Sequence, residues 1–205
     1  MKNEYIPFIS EIKEVIKHTD IEYTFRMTYE GDVKPGQFFE VSLPKFGEAP
    51  ISVSGIGKGT VDLTIRRVGK VTNEIFTNYV GDKLFLRGPY GNGFDVNNYK
   101  GKEITVVAGG TGLSPVRGVV EYFAENREEA ENFNLICGFK SPEDILFKDD
   151  LKLWEDKMNL ILTVDKAHEG YAGNTGLVTT FIPELEIKDI NNTAFIVVGP
   201  PMMMK

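Results

Sequence analysis

The sequence predicts a two-domain protein with an all-β first half and an α/β second half. Short apolar or β-branched runs occur in the first half, and turns rich in glycine, proline and aspartate separate them. In the second half, apolar runs alternate with helical patterns, which is typical of βαβ units and a parallel sheet. We therefore expect a small barrel or sandwich over residues 1–98 and a doubly wound domain over residues 101–205.

The first half contains six predicted strands and one helix. Asn73 and Glu74 lie in the first turn of this helix, because apolar residues follow them at helical spacing. A glycine-rich loop, residues 88–93, closes the first half. The predicted strands cover residues 5–16, 21–28, 37–43, 51–54, 60–67 and 83–86.

The second half is organised around a strand, a glycine turn and a helix. Residues 104–108 read as a buried strand, and Gly109, Gly110 and Gly112 then form a tight turn. Ser114 is the predicted N-cap of the helix that follows, with a proline at its first helical position. This geometry puts bare backbone N–H groups and the positive end of a helix beside a phosphate.

The remaining elements of the second half continue the alternation of strands and helices. Ser141 and Asp144 have the spacing of a capping box, which predicts a second helix from Pro142 to Trp154. Cys137 lies in an apolar run and is interpreted as a buried small hydrophobe. The predicted strands cover residues 104–108, 133–137, 159–164 and 194–198, and the predicted helices cover residues 114–126 and 142–154.

The glycine turn differs from the two common nucleotide-binding motifs. Its sequence, Gly109-Gly-Thr-Gly112, does not have the spacing of Gly-x-Gly-x-x-Gly. A P-loop requires Gly-Lys-Ser/Thr, and this tripeptide does not occur in the chain. These two observations argue against a kinase or an NTPase.

Composition and charge exclude several classes of protein. The net charge of −7 over 205 residues opposes nucleic acid as the main partner. No run has the apolar length of a membrane span, and the start of the chain does not resemble a signal peptide, so a cytoplasmic protein is expected. The only cysteine, Cys137, excludes an internal disulfide and any metal cluster held by several cysteines of these residues; we expect no metal site.

Six motifs, in this order and spacing, resemble the ferredoxin–NADP reductase superfamily over nearly the whole chain. The resemblance implies a six-stranded antiparallel β-barrel that binds FAD, followed by a doubly wound NAD(P)H-binding sheet that is incomplete at its C-terminus. The motifs are Pro35-Gly-Gln-Phe-Phe39, Glu48-Ala-Pro-Ile-Ser-Val-Ser54, Gly88-Pro-Tyr-Gly-Asn-Gly-Phe94, Ala108-Gly-Gly-Thr-Gly112, Ser141-Pro-Glu-Asp-Ile-Leu-Phe147 and Gly199-Pro-Pro-Met202.

The resemblance also assigns candidate flavin contacts. Ser52 ends the tetrad that cradles FAD in this superfamily, and its hydroxyl would contact the flavin N5 region as the catalytic residue. Ala49 stands where the superfamily has an arginine for the FAD phosphates, and Arg66 and Arg67 are the candidates to supply that charge. Thr72 would donate to the FAD pyrophosphate at the start of the barrel helix. The candidate FAD contacts are Pro50, Ile51, Ser52, Val53, Arg66, Arg67, Val68, Gly69, Val71 and Thr72.

A second set of candidates would bind NADH or NADPH. The glycine turn would hold the phosphates, and the segment after the last strand would close over the nicotinamide. Asp165 ends the third strand of this domain, where it would accept a hydrogen bond from a ribose 2′-hydroxyl and repel a 2′-phosphate, which favours NADH. The candidate contacts are Gly109, Gly110, Thr111, Gly112, Leu113, Gly138, Asp165, Gly199, Pro200 and Met202.

The function that the resemblance implies is that of an NAD(P)H-dependent flavin oxidoreductase, an electron-transfer subunit. It would move electrons from NADH through FAD to a partner redox subunit, and it looks most like the electron-transfer subunit of anaerobic sulfite reductase. The expected partners are the catalytic and iron–sulfur subunits of a multi-subunit reductase, not nucleic acid or a membrane. The alternatives are the electron-transfer subunit of dihydroorotate dehydrogenase or of an NADH-dependent ferredoxin:NADP transhydrogenase, and a flavin-free nucleotide-binding or assembly protein.

The end of the chain leads to one more expectation. A doubly wound domain normally covers its last strand with a further helix, and the sequence stops directly after that strand, so exposed apolar surface is expected. Subunits of this type continue into a cysteine-rich tail that binds a [2Fe–2S] cluster, and the resemblance implies such a tail outside these residues. The alternative is a short protein whose flavin passes electrons directly to its partner.

Overall fold

The structure is a computed structural model, and it describes residues 5–79, 81–185 and 187–204. The chain divides into two compact units, Met1–Phe94 and Asp95–Lys205. Each unit has its own strands and its own buried residues, and each is described separately below.

The first unit is a closed antiparallel barrel with the strand order β1-β2-β5-β4-β3-β6, which confirms the predicted barrel. Its interior is filled by large apolar side chains, among them Phe25, Phe39 and Leu63, which are fully buried. The strands are β1 Phe8–Lys17, β2 Glu22–Thr28, β3 Phe38–Leu43, β4 Gly47–Gly57, β5 Thr60–Arg66 and β6 Lys83–Tyr90.

Strand β4 is much longer than the four residues predicted for it. Proline cannot donate to a sheet ladder, so it is uncommon inside a strand. In the structure Pro50 lies inside β4, opposite Glu40 of β3, and the strand extends on both sides of it. A register shift between Val53 and Gly55 then marks an irregularity in the pairing of β4 with β5.

The barrel helix α1, Lys70–Asn78, begins earlier than the sequence predicted. Its N-cap is Gly69, so Asn73 lies at the fourth helical position instead of the first turn. The helix buries Val71 and Ile75, and the Phe76 ring lies 4.5 Å from the Tyr23 ring of β2. These contacts fix α1 against the core of the barrel.

The second unit is a five-stranded parallel sheet with the order β10-β9-β8-β7-β11, which confirms the predicted parallel α/β architecture. Its two-residue strand β10 was not predicted, because a polar pair carries no periodic signal. The elements are β7 Glu103–Gly109, α2 Leu113–Glu125, β8 Asn132–Phe139, α3 Lys148–Trp154, β9 Asn159–Val164, β10 Asn174–Thr175 and β11 Thr193–Val198.

One predicted helix start was wrong, and the other, at Pro142, is the start of only a 3-10 turn, Pro142–Asp144. Helix α2 begins at Leu113 with Gly112 as its N-cap, so Ser114 lies inside the helix and does not cap it. The reason is that residues 110–112 already form a 3-10 turn that leads into α2. The second predicted helix is interrupted at Phe147, which has φ 53°, and α3 begins only at Lys148. Residues 145–147 are all buried apolar side chains, and one helix face cannot bury three successive residues.

One face of the sheet is covered only in part. Val107, Ile136 and Ile161 lie in register on this face, and the 3-10 segment Val178–Glu184 packs over them through Val178 and Phe181. On β11, Phe195 and Val197 pair with Thr105 and Val107 and are therefore on the same face. Their side chains are 49% and 42% exposed, so apolar surface remains open there.

Candidate functional site

The glycine turn after β7 presents bare backbone, as the sequence predicted. Gly110 has φ +55°, and a β-carbon built on it would meet no atom within 4 Å. A β-carbon on Gly112 would lie 2.5 Å from the carbonyl oxygen of Val198, so only glycine fits there. The N–H of Leu113, the first residue of α2, donates to the carbonyls of Gly110 and Thr111, so the turn continues directly into the helix and lies at the positive end of its dipole. This turn can therefore accept a phosphate by backbone alone.

Ser114 adds a polar group to the same turn. Its side chain is 3% exposed, and its Oγ is a buried polar atom for which no hydrogen-bond partner is found among the described residues. Burying a hydroxyl without a partner costs free energy, so such atoms are uncommon in folded proteins. The sequence singled out Ser114 only as a helix cap. A buried hydroxyl without a partner in the first turn of α2 fits a site that receives a polar ligand.

The other candidates for the nicotinamide cofactor lie at the carboxyl edge of the same sheet. Gly138 pairs with Gly109, but Val178 covers it, since a β-carbon on Gly138 would lie 2.2 Å from Val178 Cγ1. Asp165 follows β9 and is exposed, and its backbone N–H donates to the Phe139 carbonyl at 2.8 Å. The sheet therefore brings Gly138 and Asp165 to one edge with the glycine turn.

The segment after β11 lies beside the glycine turn. The methionine that contacts the turn is Met203, whereas the sequence predicted Met202. A β-carbon on Gly109 would lie 3.1 Å from Pro200 Cδ and 2.7 Å from Met203 Sδ. Met202, the candidate from the sequence, is 80% exposed. The sequence reasoning missed Met203, because three successive methionines give no signal of which one turns inward.

In the barrel unit, the candidate residues of β4 differ in burial. Val53 is buried, and Ile51 and Ala49 are half-buried against the core cluster. Because side chains alternate along a strand, Pro50 and Ser52 lie on the other face of β4. Pro50 is exposed and Ser52 is half-buried, so its hydroxyl is available to a ligand on that face.

The Thr72 side chain holds the backbone in place at the start of α1 through hydrogen bonds. The Thr72 Oγ1 accepts the backbone N–H groups of Val68 at 3.0 Å and Gly69 at 2.9 Å. These two N–H groups are therefore already satisfied, and the first N–H groups of α1, from Lys70 and Val71, are the ones open to an anion. A β-carbon on Gly69 would meet no atom within 4 Å, so a phosphate can approach closely.

The two candidate arginines flank this helix start. The Arg67 Nε donates to the Asn73 Oδ1 of α1 at 3.2 Å. The Arg66 Nε lies 3.8 Å from the Glu22 Oε1, and the Arg66 side chain is half exposed. Both arginines follow or end β5 directly before α1, where positive charge would complement a phosphate.

A cavity of about 660 Å³ opens elsewhere in the barrel unit. It is lined by Phe8, Tyr29, Arg87 and Tyr90 among others, and none of the candidate site residues lines it. The Arg87 guanidinium donates to the Tyr90 hydroxyl at 3.0 Å and to Glu48 at 2.7 Å, so its charge is already compensated. The two backbone sites at the helix starts are therefore better candidates than this cavity.

The described part of the chain contains neither a cluster of potential metal ligands nor a helix that could span a membrane. Within residues 5–79, 81–185 and 187–204, no group of three or more His, Cys, Asp or Glu side chains could hold a metal ion. No helix among these residues is long and apolar enough to cross a membrane.

Comparison with known proteins identifies the family. The model of the oxidoreductase NAD-binding domain matches residues 106–205. The gamma subunit of sulfhydrogenase 1 from Pyrococcus furiosus is 32% identical, and the match covers 99% of this chain and 74% of the relative. The chain belongs to the ferredoxin reductase-like family of NAD-binding oxidoreductases. This confirms the family that the sequence motifs indicated.

Further relatives agree with this assignment. A probable electron-transfer subunit of dihydroorotate dehydrogenase B from Methanocaldococcus jannaschii is 32% identical, over 97% of this chain and 71% of the relative. Among solved structures, a ferredoxin NADP⁺ reductase from Neisseria gonorrhoeae has a TM-score of 0.80 at 21% identity, covering 96% of this chain and 87% of that one. The latter likeness supports the two-part fold that this family shares.

Proposed function

We propose that this chain is the electron-transfer flavoprotein subunit of a multi-subunit oxidoreductase. It takes a hydride from NADH onto FAD and passes the two electrons singly to a partner redox subunit. The observation that carries the proposal is the pair of open helix starts, at Gly69 before α1 and at Gly110–Gly112 before α2. Each brings bare backbone and the positive end of a helix to the place of a phosphate, and the chain's family is one of NAD-binding oxidoreductases.

The barrel residues fit FAD at the first of these helix starts. The N–H groups of Lys70 and Val71 would bind the pyrophosphate, and Arg66 and Arg67 would supply the charge that Ala49 lacks. Ser52 would donate a hydrogen bond to the flavin N5 and orient the ring for hydride transfer. When bound, FAD would supply the redox chemistry, since a flavin can take up two electrons from NADH and give them up one at a time.

The second helix start fits NADH. The backbone of Gly110 and Thr111 would bind the pyrophosphate at the positive end of α2, and the Ser114 hydroxyl would gain the partner that it lacks. Asp165 would accept a hydrogen bond from the adenosine 2′-hydroxyl, and its charge would repel the 2′-phosphate of NADPH. Gly138, Gly199 and Pro200 would border the nicotinamide end.

The proposal also names the enzyme that receives the electrons. We propose a sulfite reductase as the terminal enzyme, on the motif resemblance. The relatives favour a second candidate, a hydrogenase or dihydroorotate dehydrogenase complex, because they are named as subunits of such enzymes. We further propose that the electrons leave FAD for a [2Fe–2S] cluster held outside residues 1–205, since a cluster typically needs four cysteines and Cys137 is the only one here.

The flavin test compares two threonines of the same helix. Protein incubated with FAD and then desalted should retain about one FAD per chain and show visible flavin absorption. Replacing Thr72 by Val removes the hydroxyl that holds the Val68–Gly69 loop and should lower FAD retention. The control, Thr77→Val, lies on the exposed side of α1 and should leave FAD retention unchanged. A colourless protein after incubation would instead support the flavin-free nucleotide-binding alternative, which the missing arginine at Ala49 favours.

The partner test follows NADH oxidation. FAD-loaded protein is mixed in turn with the catalytic subunits of a sulfite reductase, a hydrogenase and a dihydroorotate dehydrogenase. The proposal expects NADH oxidation that depends on sulfite with the first of these subunits. Turnover with either of the other complexes alone would reassign the partner while leaving the electron-transfer role in place.

A further inference from the structure

The order of the parallel strands marks one crevice in the second unit. From β7 the chain proceeds to β8, β9 and β10 on one side, and it then returns to place β11 on the other side of β7. In open α/β sheets, ligands bind at the carboxyl ends of the strands where the order reverses in this way. Here that position lies between the ends of β7 and β11, next to the glycine turn.

The floor of this crevice is backbone without side chains. Strand β7 ends at Gly109, and Gly199 follows the end of β11. A β-carbon on Gly199 would lie 3.4 Å from the Gly109 backbone nitrogen, so the two glycines are neighbours. Together they form a surface without side chains, which we call the Gly109–Gly199 platform.

The side chain of Met203 lies on this platform. Its Sδ would be 2.7 Å from a β-carbon on either glycine, and its Cε would be 2.5 Å from a β-carbon on Gly199. A turn holds it there, because the Met203 N–H donates to the Pro200 carbonyl at 2.9 Å. Met203 also packs against the apolar cluster of Val107 and Phe181. Its neighbours Met202 and Met204 are exposed, so Met203 alone of the three covers the platform.

We propose that Met203 competes with the nicotinamide ring of the cofactor for the Gly109–Gly199 platform. This inference rests on the proposed function, in which NADH binds at the glycine turn. A backbone surface without side chains beside the phosphate turn leaves room for a planar ring, and the unbranched thioether of methionine is flexible enough to leave it. The nicotinamide ring can bind only when Met203 has left the platform. The more of the time Met203 occupies the platform, the lower the apparent affinity for ligands that carry this ring.

The competition predicts a difference between two ligands. NAD⁺ carries the nicotinamide ring and must displace Met203, whereas ADP-ribose shares the adenosine and the pyrophosphate but ends before that ring. Only NAD⁺ should therefore respond to the size of the side chain at position 203. NAD⁺ is preferred to NADH because it does not reduce the flavin during the measurement.

The experiment measures the Kd of both ligands by calorimetry on the FAD-loaded protein. Met203→Ala and Met203→Ser should each lower the Kd of NAD⁺ by about threefold or more and leave the Kd of ADP-ribose unchanged. Met202→Ala is the matched control, since this side chain is exposed, and it should change neither Kd. Thermal unfolding of each variant checks that the fold is retained.

The outcomes separate this inference from the proposed function. If ADP-ribose binds and the Kd of NAD⁺ stays the same or rises in both Met203 variants, Met203 does not compete and the inference is overturned alone. An equal change in both Kd values also overturns it, because it would place the effect at the shared phosphate site. If neither ligand binds the unmodified protein, the proposed dinucleotide site and this inference both fail.

Discussion

The hydroxyl oxygens of Thr24 and Thr64 lie 2.7 Å apart across the paired strands β2 and β5. Both side chains are buried, and the hydrogen bond continues in each direction. The Thr64 Oγ1 donates to the Ser54 Oγ at 2.7 Å, and the His18 Nε2 lies 2.7 Å from the Thr24 Oγ1. This chain of hydrogen bonds joins β2 and β5 to β4, the candidate flavin strand.

Replacing Thr24 by Val should destabilise the barrel, because Thr64 and His18 lose a hydrogen-bonding partner in a buried position. The expected loss in the free energy of unfolding is about 1–3 kcal/mol, the cost of an unmatched buried polar group. Thr24→Ser keeps the hydroxyl and should lose clearly less. Denaturant unfolding of the three proteins measures the difference, and equal stability of the Val and Ser variants would contradict the role of this hydroxyl.

Replacing Ser52 by Ala tests the flavin contact of β4. If the Ser52 hydroxyl bonds the flavin N5, its loss should slow flavin reduction by NADH about fivefold while FAD content changes little, since one hydrogen bond contributes about 1 kcal/mol. Ser52→Thr retains a hydroxyl and should recover part of the rate. Rapid-mixing absorbance under anaerobic conditions measures the reduction, and equal rates in Ser52→Ala and the parent protein would refute the contact.

The choice between NADH and NADPH tests Asp165. We expect a higher kcat/KM for NADH, because the carboxylate accepts from the 2′-hydroxyl and repels a 2′-phosphate. Asp165→Ser should narrow the ratio of the two kcat/KM values. The control Asp149→Ser removes an exposed carboxylate at the start of α3 and should leave the ratio unchanged. A preference for NADPH in the parent protein would show that Asp165 does not discriminate between the ribose 2′-hydroxyl of NADH and the 2′-phosphate of NADPH.

Cys137 should be unreactive in the folded protein. The thiol is fully buried in β8, and burial raises its pKa far above the usual range, so the reactive thiolate is almost absent at neutral pH. A thiol reagent should therefore label no cysteine in the native state and one after denaturation. Rapid labelling of the native protein would mean that β8 opens readily.

The periodic elements could be predicted from the sequence because burial determined their pattern. Val116, Val119, Val120 and Phe123 recur at helical spacing, and all of them are fully buried on α2. The apolar strands of the second unit were likewise located to within one or two residues. Helix α2 buries one face, whereas β7 and β8 are buried on both faces, so the helix has a periodic apolar pattern and the strands have continuous apolar runs.

The parts that could not be predicted depend on tertiary contacts. Ser114 has the residue type of a helix cap, but the preceding glycine turn already starts the helical geometry. Phe147 adopts a positive φ within an apolar run, which sequence spacing does not reveal. Met203 is selected from three methionines by the glycines beneath it, and these come from two strands far apart in sequence. Such features depend on the packing of distant segments, so local patterns do not contain them.

The most direct test of the central claim follows the flavin spectrum when NADH is added. FAD-loaded protein is mixed anaerobically with NADH, and then with NADH deuterated at the transferred position of the nicotinamide ring. We expect the visible flavin absorption to bleach, and we expect deuteration to slow the bleaching by a primary isotope effect. A protein that retains FAD but is not bleached by either form would contradict hydride transfer from NADH to FAD on this chain.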